Sequence, residues 1–360
     1  MKKKSLIFLM PSIMGGGAER VTLNFLSNIE LEENNVKLIV FNISQNEKEN
    51  LPKGIDLINL EVRGIRKGLI KIISILRSTN PDIVFSSLFY INCFLSILKF
   101  FKIIKAKILI REANMPSENI KNSSFKITTK LLYKFFYPRV DKIISSSMIM
   151  KKDLLETINV NPTKIIIVPN PVEVERIREN SVPIESLKGE GIKIIVVGRL
   201  TKQKGIDILI RWLSSINALE WSLAIIGEGE LESKLKQLSS KYNLEDKIKF
   251  LGFKSNPYPW IAGADVLALT SRWEGMPNAV LEALVCGTPV IATASAGAIN
   301  ELANESVTGA INLIKDQEGF TKVLLQIYNN KGRQVKNSLL PIRYQSRSSN
   351  QLFRKILKEI

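Results

Sequence analysis

The chain has 360 residues, of which 45% are apolar and 24% charged, and its formal net charge is +17. This length exceeds what a single hydrophobic core usually supports, so we expect about two folded domains rather than a disordered or fibrous chain. Histidine is absent and there are only two cysteines, which excludes disulfide frameworks, histidine zinc sites and catalysis by an imidazole base, and favours a reducing compartment.

The first half of the chain alternates short apolar runs with longer helical stretches. The first run follows a lysine-rich start that resembles a signal peptide, but it spans only about six residues before Pro11, so we interpret it as a buried strand. Continuous apolar strands joined by helices predict a doubly wound parallel sheet. The strands are predicted at residues 6–10, 36–43, 83–86, 108–110, 142–145 and 164–168.

A glycine-rich motif, GGGAER, follows the first predicted strand and opens a helix. Because Gly16 and Gly17 have no side chains, the backbone N–H groups at this helix start can approach an anionic or hydroxylated ligand. The motif does not fit a dinucleotide fingerprint, because Arg20 stands where that fingerprint requires Gly or Ala. A dehydrogenase is therefore disfavoured.

Residues 95–137 combine many basic side chains with aromatic ones, and residues 99–152 hold 13 basic and 3 acidic side chains. Basic amphipathic helices suit an anionic lipid surface. The alternative is that the aromatic residues belong to the core and the lysines to a solvated face. The aromatic residues are Phe100, Phe101, Phe125, Tyr133, Phe135, Phe136 and Tyr137.

Neither a membrane-spanning helix nor nucleic-acid binding is expected. The longest apolar stretch, residues 88–101, is interrupted by polar side chains and is shorter than the roughly 18–20 residues that a span needs. The zinc-finger, RNP and basic-heptad patterns of nucleic-acid-binding proteins do not occur in the sequence.

A polar stretch at residues 173–191 predicts a linker, after which the strand–helix rhythm resumes. The second half therefore predicts another parallel sheet, and two such domains place a ligand at the carboxyl ends of their strands. The strands are predicted at residues 192–197, 222–226, 248–251, 265–270, 289–292 and 310–313.

The motif GRLTKQKG follows the first strand of the second half. Arg199 and Lys204 flank a predicted helix start there, and two cations at such a point can hold a diphosphate without a metal ion. The alternative is a basic surface loop.

The motif SRWEGMPNAVLEA contains two carboxylates eight residues apart. Glu274 falls in a loop after a strand, and Glu282 about one turn into a helix that begins near Pro277. With an anion at the helix start, Glu282 can accept hydrogen bonds from a ribose and Glu274 from an attached sugar. The alternative, a solvated Glu282, is disfavoured because its neighbours are apolar.

These motifs, together with VPNPV before the predicted linker, resemble the retaining glycosyltransferases of family 4 over nearly the whole chain. The resemblance rests above all on the Glu-x7-Glu element formed by Glu274 and Glu282. It implies the GT-B fold, an α/β architecture in which two Rossmann-like doubly wound domains face each other across a cleft. The acceptor domain would be residues 1–172 and the nucleotide-sugar domain residues 192–340, and a C-terminal helix at about 341–360 would cross back to the first.

By position, the resemblance also implies a set of donor contacts and no metal ion. The sequence has no Asp-x-Asp signature, since its eight aspartates are never closer than twelve residues apart. The donor-binding residues would be Gly16, Gly17, Arg199, Lys204, Glu274, Gly275, Met276, Asn278, Ala279 and Glu282.

On the acceptor side, many relatives carry a histidine that this chain lacks. The nearest polar candidates are Arg111, Glu112 and Asn114, which follow the strand AKILI and are therefore expected at the edge of the cleft. We expect Glu112, with Glu274, to be catalytic, either by orienting the acceptor or by stabilising positive charge on the sugar, while Arg111 and Asn114 bind the acceptor. The alternative for Glu112 is a surface ion pair near Arg111.

The expected function is retaining transfer of a hexose or N-acetylhexosamine, with UDP-sugars favoured as donors. The acceptor would be a lipid-linked saccharide or glycan of bacterial surface-polysaccharide assembly, met at the cytoplasmic face of the membrane by a peripheral enzyme. One alternative is a UDP-sugar epimerase of the same fold, which the Glu-x7-Glu element disfavours. Another is a non-catalytic subunit that binds a sugar nucleotide or a lipid.

Overall fold

The computed structural model describes residues 3–13, 16–44, 48, 51–62, 65–183, 191–330 and 337–360. The chain divides into two compact units. Unit 1 consists of Met1–Pro171 and Ser346–Ile360, and unit 2 of Val172–Gln345.

In the described part of unit 1, seven parallel strands form a sheet in the order β3-β2-β1-β4-β5-β6-β7. The predicted parallel sheet is therefore confirmed. The edge strand β3 was missed because only its two central residues, Leu57 and Ile58, are apolar. The strands are β1 Lys4–Met10, β2 Asn34–Val40, β3 Asp56–Asn59, β4 Ile83–Ser86, β5 Lys107–Arg111, β6 Lys142–Ser145 and β7 Ile165–Ile167.

Both faces of this sheet are buried under helices. In β1, Ile7 and Leu9 enter one hydrophobic cluster, whereas Leu6 and Phe8 enter the cluster on the other face, as the two-residue period of a strand requires. A π-helical turn, Leu132–Phe136, and a 3-10 turn, Tyr137–Arg139, follow the fifth helix. The helices are α1 Gly17–Ser27, α2 Ile65–Thr79, α3 Phe89–Phe100, α4 Pro116–Asn122, α5 Lys126–Leu131 and α6 Met148–Thr157.

In the described part of unit 2, six parallel strands lie in the order β10-β9-β8-β11-β12-β13. The strands are β8 Ile192–Val197, β9 Trp221–Ile226, β10 Ile248–Phe250, β11 Val266–Leu269, β12 Val290–Thr293 and β13 Ile311–Ile314. The helices are α7 Val174–Glu179, α8 Ile206–Leu213, α9 Glu232–Lys241, α10 Tyr258–Ala262, α11 Asn278–Val285, α12 Ile299–Glu305 and α13 Gln317–Asn329.

The segment predicted as a linker, residues 173–191, differs from the prediction over its described part. It contains α7, whose Ile177 is buried in the core of unit 2, and the preceding Val172 donates its N–H to the carbonyl of Tyr344. Two apolar residues three apart, Val174 and Ile177, give this polar stretch one side that packs, so unit 2 begins before the predicted start at 192. Residues 184–190 of the predicted linker lie outside the described residues.

The last helix, α14 Ser346–Glu359, belongs to unit 1 and starts five residues after the predicted 341. Its Phe353 stacks on Phe25 with ring centroids 4.3 Å apart and also contacts Phe8 and Phe85. At the polar side of the helix, Arg354 pairs with Glu30 at 3.0 Å. The carboxyl-terminal helix thus completes one face of unit 1.

Within the residues that the structure describes, no helix combines the length and the apolar composition that crossing a bilayer requires.

Candidate functional site

The loop between β8 and α8 in unit 2 carries the predicted diphosphate-binding residues. Arg199 is exposed, and Lys204 ends a 3-10 turn, Lys202–Lys204. Gly205 follows with a φ of +61°, and a Cβ atom at this position would lie 2.1 Å from the carbonyl oxygen of Thr270. Glycine is therefore required for the close contact between this loop and the end of β11.

The loop after β11 brings Glu274 to the same place. Lys204 Nζ lies 2.6 Å from Glu274 Oε1, and Ser271 Oγ donates to the same oxygen at 2.7 Å. Gln203 Nε2 lies 3.4 Å from Glu274 Oε2. The Glu274 carboxylate is thus held by three donors while it is 5% exposed.

This ion pair was not foreseen from the sequence, which assigned Lys204 to a diphosphate and Glu274 to a sugar. Ser271 and Gln203 were also missed, although both flank predicted site residues. The two loops are 70 residues apart in the chain, so their meeting depends on the order of the strands in the sheet. A cation and a carboxylate in contact are suited to exchange partners when an anion and a hydroxyl-bearing ligand enter together.

Glu282 lies on α11, whose residues 280–285 are all buried. Glu282 itself is 8% exposed, so the alternative of a solvated helix residue is wrong. The helix begins at Asn278 after Pro277, as predicted. Gly275, Met276, Asn278 and Ala279 connect Glu274 to this helix, and Gly297, with a φ of +64°, packs against the backbone of Glu274 at a distance that no side chain would allow.

In unit 1, Arg111 ends β5 and is 2% exposed. Its Nη2 donates to Oδ1 of Asn170 in the motif VPNPV, whereas its Nε and Nη1 have no hydrogen-bond partner within the described residues. Burial lowers the pKa of the Arg111 guanidinium to about 10, so it remains cationic at neutral pH. A buried cation with unpaired donors is costly unless an anion joins it.

Glu112 is 1% exposed and faces the opposite side of the sheet from Arg111. Its Oε2 accepts hydrogen bonds from the hydroxyls of Tyr133 at 3.2 Å and Tyr137 at 3.0 Å. Burial raises the pKa of this carboxyl to about 7, against the opposing effect of these hydrogen bonds and those from the amides of Asn114 and Ala113. The alternative of a surface ion pair for Glu112 is wrong.

The other predicted residues of unit 1 are Asn114, Gly16 and Gly17. Asn114 is engaged locally, since its Oδ1 accepts from the N–H of Met115 at 3.0 Å and its Nδ2 donates to Asn119. Gly16 precedes α1, and Gly17 begins it; both are exposed. Gly15, the first glycine of the motif, lies outside the described residues.

Six of the seven aromatic residues of the basic region, residues 95–137, separate into two sets, and the seventh, Phe136, is half-buried. Tyr133 and Tyr137 are fully buried, in agreement with the alternative that the aromatic residues belong to the core. Four phenylalanines instead expose 40–75% of their surface, and Arg139 lies over the Phe100 ring at 5.3 Å. The exposed phenylalanines are Phe100, Phe101, Phe125 and Phe135.

Among the described residues, no group of three or more acidic or thiol side chains is arranged to hold a metal ion. Metal independence stays a prediction.

Comparison with known proteins identifies two matching family models. The model described as Glycosyltransferase Family 4 matches residues 15–176, and the model described as Glycosyl transferases group 1 matches residues 177–339. The two matches together extend over both units and include the glycine motif, Arg111, Lys204, Glu274 and Glu282.

Two curated relatives are similar over part of their length. The chain is 32% identical over 208 residues to a Campylobacter jejuni N-acetylgalactosamine-N,N'-diacetylbacillosaminyl-diphospho-undecaprenol 4-alpha-N-acetylgalactosaminyltransferase, covering 58% of this chain and 56% of the relative. It is 28% identical over 225 residues to an Escherichia coli UDP-Gal:alpha-D-GlcNAc-diphosphoundecaprenol alpha-1,3-galactosyltransferase, covering 59% and 58%. The chain thus spans little more than half the length of these relatives.

Among solved structures, Anabaena HepE in complex with UDP and glucose matches with a TM-score of 0.80 and 16% identity, over 99% of this chain and all of the other. This likeness concerns the fold.

Proposed function

Because the chain belongs to glycosyltransferase family 4 and has the GT-B fold, we propose that it transfers a hexose or N-acetylhexosamine from a UDP-sugar to a lipid-linked saccharide with retention of anomeric configuration. The observation that carries this proposal is the contact of Lys204 with Glu274 at 2.6 Å, directly before the helix that bears Glu282. This contact supports a site in which a cation for the diphosphate lies beside a carboxylate for the sugar hydroxyls.

The donor would exchange the partners of this ion pair. The diphosphate, with its two negative charges, takes the Lys204 ammonium and meets the exposed Arg199, while the Glu274 carboxylate turns to hydroxyls of the sugar. Glu282 accepts hydrogen bonds from the ribose. The N–H groups of Gly275, Met276, Asn278 and Ala279 at the start of α11 supply further donors. No metal ion is part of this proposal, because two side-chain cations neutralise the leaving group.

The proposed reaction takes place on one face of the sugar. The bond between the anomeric carbon and the diphosphate oxygen breaks, the acceptor oxygen forms its bond to the same carbon from the same side, and the acceptor proton passes to the departing diphosphate. Lys204 and Arg199 stabilise the negative charge that develops on the diphosphate. Glu274 holds the sugar through contacts that strengthen as positive charge develops on its ring.

On the acceptor side, Arg111 would bind an anionic group. Its Nε and Nη1 lack partners among the described residues, and a phosphate oxygen of a lipid diphosphate would supply one. Both relatives described above are named for diphosphoundecaprenol acceptors. Asn114 would contact the acceptor beside it. Glu112 is enclosed by Tyr133 and Tyr137. It would act on the acceptor indirectly, by fixing the loop that carries Asn114.

The membrane is the proposed location of the acceptor. Exposed phenylalanines between basic side chains in the region 95–137 suit insertion into the headgroup layer of an anionic bilayer. We therefore place the enzyme at the cytoplasmic face of the membrane as a peripheral protein in surface-polysaccharide assembly.

The test is a panel of nucleotide-sugars offered to the purified protein with and without a polyprenyl-diphosphate saccharide, with nucleoside diphosphate release and product anomer as readouts. We expect turnover with one UDP-sugar and loss of turnover in Lys204→Ala. The matched control is Lys202→Ala, which removes a neighbouring exposed charge. Conversion of a UDP-sugar into its epimer, or donor binding without release, would contradict the proposal.

A further inference from the structure

A second set of contacts joins the two donor loops behind the Lys204–Glu274 pair. Arg272, which follows Ser271 at the end of β11, reaches Asp207 in the first turn of α8. Its Nη1 lies 2.8 Å from Oδ1 and its Nη2 2.8 Å from Oδ2 of Asp207, a bidentate arrangement. The same Nη1 donates to the carbonyl of Lys202 at 2.8 Å. We call Asp207, Arg272 and this carbonyl the strap.

Two further hydrogen bonds join the same two loops beside the strap. The N–H of Arg272 donates to the carbonyl of Gln203 at 2.7 Å, and Gln203 Nε2 donates to the carbonyl of Trp273 at 3.0 Å. Residues 202 and 203 directly precede Lys204, and residues 272 and 273 directly precede Glu274. The strap thus fixes the backbone directly before Lys204 and directly before Glu274, whose side chains lie 2.6 Å apart.

The strap is stronger than an ordinary surface ion pair. The side chains of Arg272 and Asp207 are 29% and 22% exposed, and two parallel hydrogen bonds define both distance and orientation. The hydrogen bond to Arg272 lowers the pKa of Asp207, and the same bond raises the pKa of Arg272. Arg211, one turn along α8, adds a second cation 3.5 Å from Asp207. A lysine in place of Arg272 would keep the positive charge but could not form the two parallel hydrogen bonds to Asp207.

We propose that Asp207 and Arg272 are positioning residues for the glycosyl transfer. They keep the Lys204 and Glu274 backbones in register while the donor separates the two side chains, so that the exchange needs side-chain rotation only. The inference rests on the proposed function, because it takes the diphosphate and the sugar as the new partners of Lys204 and Glu274. In this proposal neither Asp207 nor Arg272 contacts the donor.

The experiment compares Arg272→Lys and Asp207→Asn with a matched control. Glu232→Gln breaks another ion pair of unit 2, Lys236–Glu232 at 2.7 Å on α9, in which neither Asp207 nor Arg272 takes part. We expect each strap variant to lower kcat between about tenfold and a hundredfold, as small misplacements of reacting groups do. The acceptor KM and the affinity for free UDP should stay within about threefold, and Asp207→Glu should recover part of the loss. The control should match the wild type.

Two further readouts separate positioning from general damage. Arg272→Lys combined with Glu274→Gln should lower kcat by less than the product of the two single losses, because part of the effect of the strap acts through Glu274. Hydrogen exchange should rise at residues 202–205 and 271–276 in the strap variants and not in the control. Additive losses in the double variant would overturn the proposal.

The exchange measurement needs no substrate, so the two proposals fail in different ways. If the wild type turns over no nucleotide-sugar, the proposed function is wrong, and exchange that still rises at both loops supports the strap as the link between them. If turnover occurs but hydrogen exchange at these loops is unchanged in Arg272→Lys, the positioning role of the strap is wrong while the proposed function stands.

Discussion

Replacing Glu112 with glutamine should change the pH dependence of the stability of unit 1. The carboxyl is 1% exposed, and burial raises its pKa from 4.5 to about 7. The folded protein therefore binds the proton more tightly than the unfolded chain does. The stabilisation of the folded state that comes from this tighter proton binding is fully present below about pH 4.5 and is lost as the pH rises through about 7. A glutamine side chain does not titrate, so Glu112→Gln should not show this loss.

The size of the effect follows from the shift in pKa. A shift from 4.5 to about 7 corresponds to about 3 kcal/mol at about 1.4 kcal/mol per unit. Glutamine can still accept from the Tyr133 and Tyr137 hydroxyls, but its NH₂ group faces backbone N–H donors, at a pH-independent cost of about 1 kcal/mol. We expect Glu112→Gln to be slightly less stable than the wild type at pH 4.5 and about 2 kcal/mol more stable at pH 8.5.

The assay must report on unit 1 alone, because a protein of two units has no single unfolding free energy. All four tryptophans, Trp212, Trp221, Trp260 and Trp273, lie in unit 2, so tryptophan fluorescence in urea follows unit 2. Hydrogen exchange of the β4, β5 and β6 amides, corrected for intrinsic rates, follows the opening of unit 1.

The control variant is Glu156→Gln, whose carboxyl on α6 is 65% exposed. A free-energy difference between Glu112→Gln and the wild type that stays constant from pH 4.5 to 8.5 would refute the account of the buried carboxyl. An unchanged kcat in Glu112→Gln would also exclude any direct part of this carboxyl in the reaction.

Further predictions concern the donor, the acceptor, the metal and the membrane. Glu274→Gln should lower kcat/KM for the donor by on the order of a hundredfold, because contacts made in the transition state are worth a few kcal/mol; near-normal turnover would contradict the assignment. Arg111→Lys should raise the KM of a diphosphate-linked acceptor about tenfold without changing that of an uncharged analogue, as measured by initial rates. EDTA should leave turnover unchanged, and a loss restored by Mg²⁺ would refute the metal-free donor site. Phe125→Ser with Phe135→Ser should weaken sedimentation with phosphatidylglycerol vesicles at least about tenfold, whereas Tyr328→Ser, an exposed change in unit 2, should not.

The sequence predicts the sheets well because buried parallel strands are continuous apolar runs, and ten or more residues of helix separate them. It predicts strand ends less well, and it misses β3, where only Leu57 and Ile58 are apolar. The linker prediction failed for a related reason, since α7 is mostly polar and packs through Ile177.

The candidate site was predicted as a set of residues rather than as a set of contacts. The Lys204–Glu274 pair and the strap join segments 65 to 71 residues apart, and nothing local in the sequence encodes their distance. In the basic region, the π-helical turn Leu132–Phe136 changes the angular spacing of side chains. Tyr133 and Tyr137, four residues apart, share the buried side, while Phe135 between them points out. The sequence left this assignment open because Phe135, Phe136 and Tyr137 are consecutive aromatic residues.

The position of α14 in unit 1 has a consequence for biosynthesis. During translation, the seven strands of unit 1 and then the whole of unit 2 are synthesised before Phe353. Only then can Phe353 pack on Phe8, Phe25 and Phe85. During translation, the amino-terminal unit must therefore wait with part of its aromatic core open to solvent, where chaperones can bind it, while the later unit already has its complete sequence. Unit 1, whose synthesis begins first, should therefore finish folding after unit 2.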